Sequence, residues 1–142
     1  MKYLKITNTP DGLRLARCLV GSPCKAQTAS HKNEYYGVIV GADSEIIVRN
    51  GKHLHSERYV DIPIDTLKLD PFAAMRYGVS VVGTDGCSIK GIIVSVSQYD
   101  PLHANRFCIN NMMTFCQEEI TLDLSAIERG EVDGASVVEV GE

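Results

Sequence analysis

The sequence contains no tryptophan, no Cys-x-x-Cys pair and no long apolar run. A membrane-spanning helix needs roughly 18 or more consecutive apolar residues, and no segment of the 142 residues approaches that length. The first residues, Met1 to Gly12, also lack the apolar stretch and small-residue cleavage site of a secretory signal. We therefore expect a soluble, cytoplasmic protein with no membrane partner.

Motifs of the common enzyme classes are missing as well. No glycine-rich loop precedes a predicted helix, and no serine occupies a strand-to-helix elbow. The five cysteines are odd in number and unpaired in spacing, which favours a reducing compartment. Most of them fall in or beside apolar strands, where cysteine usually acts as a small apolar side chain. We therefore predict no catalytic residue and no cofactor.

Two histidines are the nearest approach to a metal site. His53 and His55 lie two residues apart on a predicted strand, so both side chains point to the same face. Nothing in the spacing selects a third ligand, and a polar hairpin face explains the pair equally well. We predict no bound metal, and a small metal-dependent or thiol-dependent enzyme stays the second alternative function.

Alternation of apolar and polar residues predicts short β-strands along most of the chain. Turn signals recur about every 8 to 12 residues, which is typical of small barrels and sandwiches. A hairpin is predicted to turn at Pro10–Gly12. A second is predicted to turn at Asn50 and Gly51, with Val48 facing His53, because Asn-Gly suits a type I′ turn.

One short helix is predicted at residues 71–77. Asp70 would cap it, Pro71 would occupy its first position and Gly78 would follow its end. The helix marks the junction between two predicted barrel-like halves, 1–70 and 71–142, which together could form one compact unit. Periodicity leaves open whether residues 110–119 form a strand or a helix.

The two halves contain similar stretches in the same order. The aligned pairs are Leu19–Ser22 with Val81–Thr84, Tyr36–Val40 with Lys90–Val94, and Val60–Leu67 with Ile120–Ile127. Loops absorb the unequal spacing at little cost, because closure entropy grows only logarithmically with loop length. Short strands beside glycine also resemble one another by chance, so the sequence leaves open whether the halves are true repeats.

The predicted helix is followed by a strand, by the turn Asp85-Gly86, by a strand that opens at Gly91, and by a loop with Asp100 and Asn105. This order, mainly within residues 71–130, resembles the small β-barrel superfamily that includes Src-homology-3-like and Sm-like domains. In Sm-like proteins the Asp and Asn of that loop hold an RNA base. The resemblance implies a small antiparallel barrel, and it makes Sm-like RNA binding the first alternative function.

Charge is unevenly distributed along the chain. Residues 1–36 carry six Lys or Arg against two Asp or Glu, whereas residues 117–142 carry one against eight. Regions of opposite sign attract each other within the fold or between copies, which favours a homo-oligomer, and two solvated faces would explain the same distribution. The net charge is −4. Proteins that bind nucleic acid normally concentrate a stronger positive field, so a nucleic-acid partner is not expected outside the Sm-like alternative.

The loop at residues 98–107 is the predicted recognition surface. It combines an aromatic side chain with hydrogen-bond donors and acceptors, namely Tyr99, His103, Asn105 and Arg106. An ordered turn built by Asp100 and Pro101 would explain the same composition. The sequence thus predicts a mainly β protein of small antiparallel barrels, possibly in tandem. Its predicted function is that of a non-catalytic binding or assembly module for a protein or small-molecule ligand.

Overall fold

The computed structural model describes residues 1–27, 34–98 and 105–140. Of these residues, 49% lie in strands and 20% in helices, so the predicted mainly β fold is confirmed. The strands form three antiparallel sheets, and none of them closes into a barrel within the described residues. None of the helices in these ranges has the length and apolar character needed to cross a bilayer.

The elements are numbered in chain order. The strands are β1 Lys2–Thr7, β2 Pro23–Gln27, β3 Glu34–Gly41, β4 Ile46–Asn50, β5 His53–Glu57, β6 Tyr59–Pro63, β7 Val81–Thr84, β8 Ser88–Gly91, β9 Ile93–Ser97, β10 Arg106–Ile109, β11 Met113–Cys116, β12 Ile120–Leu122 and β13 Ala135–Glu139. The helices are α1 Pro10–Arg17, α2 Pro71–Tyr77 and α3 Leu124–Glu128, with 3-10 turns at Ile64–Thr66 and Gln117–Glu119.

Contacts divide the chain into two compact units. Unit 1 comprises Met1–Lys68 and Leu124–Glu142, and unit 2 comprises Leu69–Asp123. The predicted division into barrel-like halves at 1–70 and 71–142 stays a prediction. Each unit has its own apolar core, with Leu4, Ile6, Ile39, Ile46, Val48, Val60 and Ile62 in unit 1, and Val81, Ile93, Phe107, Ile109 and Phe115 in unit 2.

Unit 1 contains a seven-stranded sheet in the order β13-β1-β6-β2-β3-β4-β5. The predicted hairpin at Asn50 is present, but its register differs from the prediction. Asn50 pairs with His53 and Val48 pairs with His55, so the turn contains Gly51 and Lys52. A turn with these two central residues needs positive φ at the first of them, and Gly51, at φ 60°, supplies it without strain.

The predicted hairpin at Pro10–Gly12 is wrong, because these residues begin helix α1. The Thr9 hydroxyl accepts a hydrogen bond from the Gly12 N–H at 3.0 Å, which caps the helix, and Pro10 occupies its first turn. Gly12 is required by space as well. A Cβ atom there would lie 2.0 Å from the carbonyl oxygen of Thr7.

Unit 2 contains two three-stranded sheets, β12-β7-β8 and β11-β10-β9. Helix α2 confirms the prediction for residues 71–77. Asp70 accepts from the Phe72 N–H at 3.0 Å, and Gly78 ends the helix at φ 66°. The open question over 110–119 is settled as a hairpin, in which Asn110 and Asn111 supply the positive φ of the turn, followed by a 3-10 turn.

A single side chain holds the junction between β8 and β9. Asn110 accepts a hydrogen bond from the Ile92 N–H at 3.1 Å and donates one to the Lys90 carbonyl at 2.7 Å. Gly91 makes room for it, because a Cβ atom there would lie 2.1 Å from the Asn110 side-chain amide. A backbone bond from the Asn110 N–H to the Ile92 carbonyl, at 3.0 Å, adds to these contacts, so the β8–β9 junction is tied to the turn after β10.

Candidate functional site

The predicted recognition loop is only partly within the described structure. Tyr99 and His103 lie outside the described residues. Asn105 directly precedes β10, Arg106 is its first residue, and both are half-buried. The Arg106 guanidinium donates from Nη2 to the Thr114 carbonyl at 3.1 Å, and Nε and Nη2 each lie 3.4 Å from Thr114 Oγ1. Arg106 thus links β10 to β11, and the four-residue binding surface stays a prediction.

A second polar cluster, which the sequence did not reveal, lies on the sheet of unit 1. Strands β1, β6 and β2 are neighbours, and their register places Asp61 between Lys5 and Lys25. The alternate residues of β1 and β6 are fully buried in the core, namely Leu4, Ile6, Val60 and Ile62. Because side chains alternate along a strand, the charged row lies on the opposite face.

Two tyrosines hold the lysines of this row. Lys25 Nζ lies 4.8 Å from the ring centroid of Tyr3, and Lys5 Nζ lies 4.7 Å from that of Tyr59. The Tyr59 hydroxyl donates to Gln27 Oε1 at 2.9 Å, which fixes that ring. Cation–π contacts of this kind contribute about 0.5–1 kcal/mol at exposed positions, so they orient the lysines without locking them.

Asp61 carries the unusual feature of this cluster. Its Oδ1 atom is shielded from solvent and has no hydrogen-bond partner among the described residues. Burial raises the pKa of the Asp61 carboxyl, and the nearby charges of Lys25 and Lys5 oppose that rise. An unbonded buried acceptor costs about 1–3 kcal/mol. We call Tyr3, Lys5, Lys25, Tyr59 and Asp61 together the Asp61 site.

Few local features of the sequence point to the Asp61 site. Lys5, Lys25 and Asp61 stand on three strands that are distant in the chain and meet only through the sheet order β1-β6-β2. The one available hint was that Asp61 stands between the core residues Val60 and Ile62, which fixes the face it occupies.

The histidine pair belongs to a different cluster, on the face of the sheet that carries the core. The ring centroids of His53 and His55 lie 6.5 Å apart, and the ring of Tyr35 lies 5.0 Å from that of His55. The Tyr35 hydroxyl donates to Glu57 Oε1 at 2.7 Å. Within the described ranges, no three His, Cys, Asp or Glu side chains are grouped so that they could hold a metal ion.

Two of the thiols, those of Cys24 and Cys116, have raised pKa values, which opposes nucleophilic chemistry. Burial, with the charges of Asp61 and Glu57, raises the pKa of Cys24 to about 12. A hydrogen bond to Glu119, whose Oε1 lies 3.0 Å from Cys116 Sγ, is the main cause that raises the pKa of Cys116. A reactive thiol needs the opposite shift, since the thiolate is the nucleophile. These two cysteines are therefore poor candidates for a catalytic role.

The fold and the Asp61 site define a mainly β protein with a polar cluster on one sheet. Comparisons with protein-family models, with curated proteins and with solved structures each find no match for the chain.

Proposed function

We propose that the protein is a non-catalytic binding module, built from two small β-barrel-like units, that recognises a small polar ligand at the Asp61 site. The observation that carries this proposal is Asp61 Oδ1, a shielded acceptor without a partner among the described residues, between two lysines and two tyrosines. Binding sites commonly place a few convergent polar groups among aromatic side chains. A ligand that donates to Asp61 would remove the cost of the unbonded oxygen.

The order of elements supports a tandem arrangement. Unit 1 contains the run α1-β2-β3-β4-β5-β6, and unit 2 contains the run α2-β7-β8-β9-β10-β11-β12, in which only Ile92 separates β8 from β9. In each run the last strand pairs antiparallel with the first. Both helices also begin with a capping side chain followed by proline, at Thr9-Pro10 and at Asp70-Pro71.

A pair of glycines adds to this support. Gly37 in the second strand of the first run would place a Cβ atom 2.6 Å from the carbonyl of Arg49, in the third strand. Gly91 has the matching place in the second run when β8 and β9 are counted as one strand, and a Cβ atom there would collide with the side chain of Asn110, just after β10. A glycine packed closely against the next part of the run is a feature that a duplicated unit would retain.

Sm-like RNA binding is the second candidate, favoured by the order of elements in unit 2. A short helix, α2, precedes β7, the turn Asp85-Gly86 follows, and Asn105 stands just before β10. This order is the one on which the Sm-like resemblance rests. The local charge gives less support, since unit 2 carries only Arg76, Lys90 and Arg106 as bases.

A thermal-shift screen tests the proposed function. The probes are free amino acids, mononucleotides and small organic acids. Each is added to the wild type, to Asp61→Asn and to Asp65→Asn. Asp65→Asn is the matched control, because Asp65 is an exposed carboxylate of the same unit. Binding stabilises the folded state by mass action. We expect at least one probe to stabilise the wild type and Asp65→Asn but not Asp61→Asn. If every effective probe acts equally on all three proteins, the Asp61 site is not the binding site.

A salt titration tests the second candidate. Homopolymeric RNA is added at low salt and the affinity is followed as salt increases. Phosphate contacts make affinity fall steeply with salt. RNA binding that falls in this way and weakens in Asn105→Ala would favour the Sm-like function, whereas no binding at low salt would remove it.

A further inference from the structure

The charges of the Asp61 site alternate across three neighbouring strands. Lys5 on β1, Asp61 on β6 and Lys25 on β2 form a row of positive, negative and positive groups. Neighbouring strands lie about 4.8 Å apart, so both lysine side chains are long enough to reach a ligand centred on Asp61. A complementary ligand therefore presents a negative, a positive and a negative group in the same order.

We propose that the Asp61 site binds a small zwitterion of the amino-dicarboxylate class, in which an ammonium group stands between two carboxylates. This inference rests on the proposed function. The ligand ammonium donates to Asp61 Oδ1, and its two carboxylates accept from the ammonium groups of Lys5 and Lys25. Acidic amino acids carry these three groups on one short carbon chain, so a single small molecule can satisfy the whole row.

The balance of charge around the row disfavours a polyanion. Glu34 Oε1 lies 3.8 Å from Lys25 Nζ, so two carboxylates, those of Glu34 and Asp61, accompany the two lysines. A nucleic-acid backbone needs an excess of positive charge to gain affinity. A plain dicarboxylate without an ammonium group would also leave Asp61 without a donor, and would bring a further negative charge close to it.

The two tyrosines hold the lysine ammonium groups close to Asp61. Each lysine lies over a tyrosine ring rather than on Asp61, as the distances of 4.8 Å to Tyr3 and 4.7 Å to Tyr59 show. The lysine ammonium groups are thus held near the row while Asp61 Oδ1 stays unbonded. Because Oδ1 is shielded from solvent, a ligand ammonium reaches the Asp61 carboxylate only when the side chains around it move aside, and the ligand then meets both lysines.

An NMR titration of the full-length protein tests the proposal. The probes are L-glutamate and L-aspartate at up to about 10 mM, a range that detects millimolar affinities. Glutarate lacks the ammonium group, and L-glutamine lacks the second carboxylate. The variants are Asp61→Asn and Lys25→Gln, with Lys52→Gln as the control because Lys52 is exposed in the turn between β4 and β5. Dispersed amide signals verify that each variant is folded.

We expect the acidic amino acids to shift the amide signals of residues 5, 25 and 61. Removing a charged hydrogen-bond partner should weaken their binding about tenfold or more in Asp61→Asn and Lys25→Gln, and leave it unchanged in Lys52→Gln. If Asp61→Asn does not fold, Lys25→Gln decides. If glutarate or a mononucleotide binds at this face as tightly as glutamate does, the proposal of a zwitterionic ligand is wrong, whereas the proposed function stands. If none of the probes used in the thermal-shift screen or in this titration shifts the signals of residues 5, 25 and 61, the zwitterion proposal and the proposed function both fail.

Discussion

Replacing Asp61 by asparagine should stabilise the folded protein at neutral pH. A carboxylate oxygen that is buried without a partner lowers the free energy of unfolding by about 1–3 kcal/mol. An asparagine amide has the same shape but no charge, so it avoids the cost of removing a negative charge from water. The change also removes the attraction of Lys5 and Lys25, which opposes the effect of burial. Because Asp61 is only half-buried, we expect a net gain of about 1 kcal/mol in the free energy of unfolding at pH 7.

The gain should depend on pH in a defined direction. The pKa of Asp61 is raised in the folded state, so the folded protein holds this proton more tightly than the unfolded chain does. The penalty is absent below the unfolded pKa of about 3.9, grows as the pH rises from that value toward the folded pKa, and is fully present above the folded pKa. The difference in stability between Asp61→Asn and the wild type should therefore shrink as the pH falls from 7 toward about 4.

Urea unfolding at pH 7 and at about pH 4 measures this difference, since the midpoint shifts with stability when the slope is unchanged. Asp65→Asn serves as the control, because that carboxylate is exposed and its removal should change stability by less than about 0.5 kcal/mol. An Asp61→Asn protein that is clearly less stable than the wild type at pH 7 would refute the reasoning. It would mean that the carboxylate gains more from the lysines than it loses by burial.

Three further predictions concern backbone spacing, the β8–β9 junction and the thiols. Gly37→Ala should lower the free energy of unfolding by about 1–3 kcal/mol, because its Cβ would lie 2.6 Å from a neighbouring carbonyl. Gly41→Ala, on the same strand, meets nothing within 4 Å and should be nearly neutral in urea unfolding. Equal effects of the two changes would contradict the strand spacing. Asn110→Asp removes the hydrogen bond donated to a strand carbonyl and should destabilise the protein by about 0.5–1.5 kcal/mol in the same assay, so a neutral result would contradict the described junction. A thiol reagent at about pH 8 should label the exposed Cys87 and leave Cys24, whose pKa is raised to about 12, unlabelled in mass spectra of the native protein; rapid labelling of Cys24 would contradict its burial.

Local signals explain which elements could be predicted. Helix α2 follows from neighbouring residues alone, because Asp70, Pro71 and Gly78 each have one dominant structural use at a helix end. Helix α1 begins at Pro10 with a similar cap, but Pro-Asp-Gly is also a common turn sequence and therefore predicts a hairpin in its place. The contact that favours the helix, Gly12 against the Thr7 carbonyl, is a matter of three-dimensional packing.

The Asp61 site could not be predicted for a different reason. Alternation along β6 places Asp61 on the polar face, but it does not say which strands stand on either side. In this sheet the neighbours are β1 and β2, so residues as distant in sequence as Lys5 and Lys25 meet there. The unbonded oxygen that suggests a ligand is a property of that three-strand arrangement.

The pKa of Asp61 is the most direct test of the account. Carboxyl carbon chemical shifts, followed by NMR from about pH 2 to pH 8 with Asp61→Asn used for assignment, report this value for the folded protein. We predict a pKa above the ordinary value of about 3.9, because the shielded oxygen has no donor to stabilise its charge. A pKa at or below that value would show that the lysines already satisfy Asp61, and it would remove the reason to propose a ligand there.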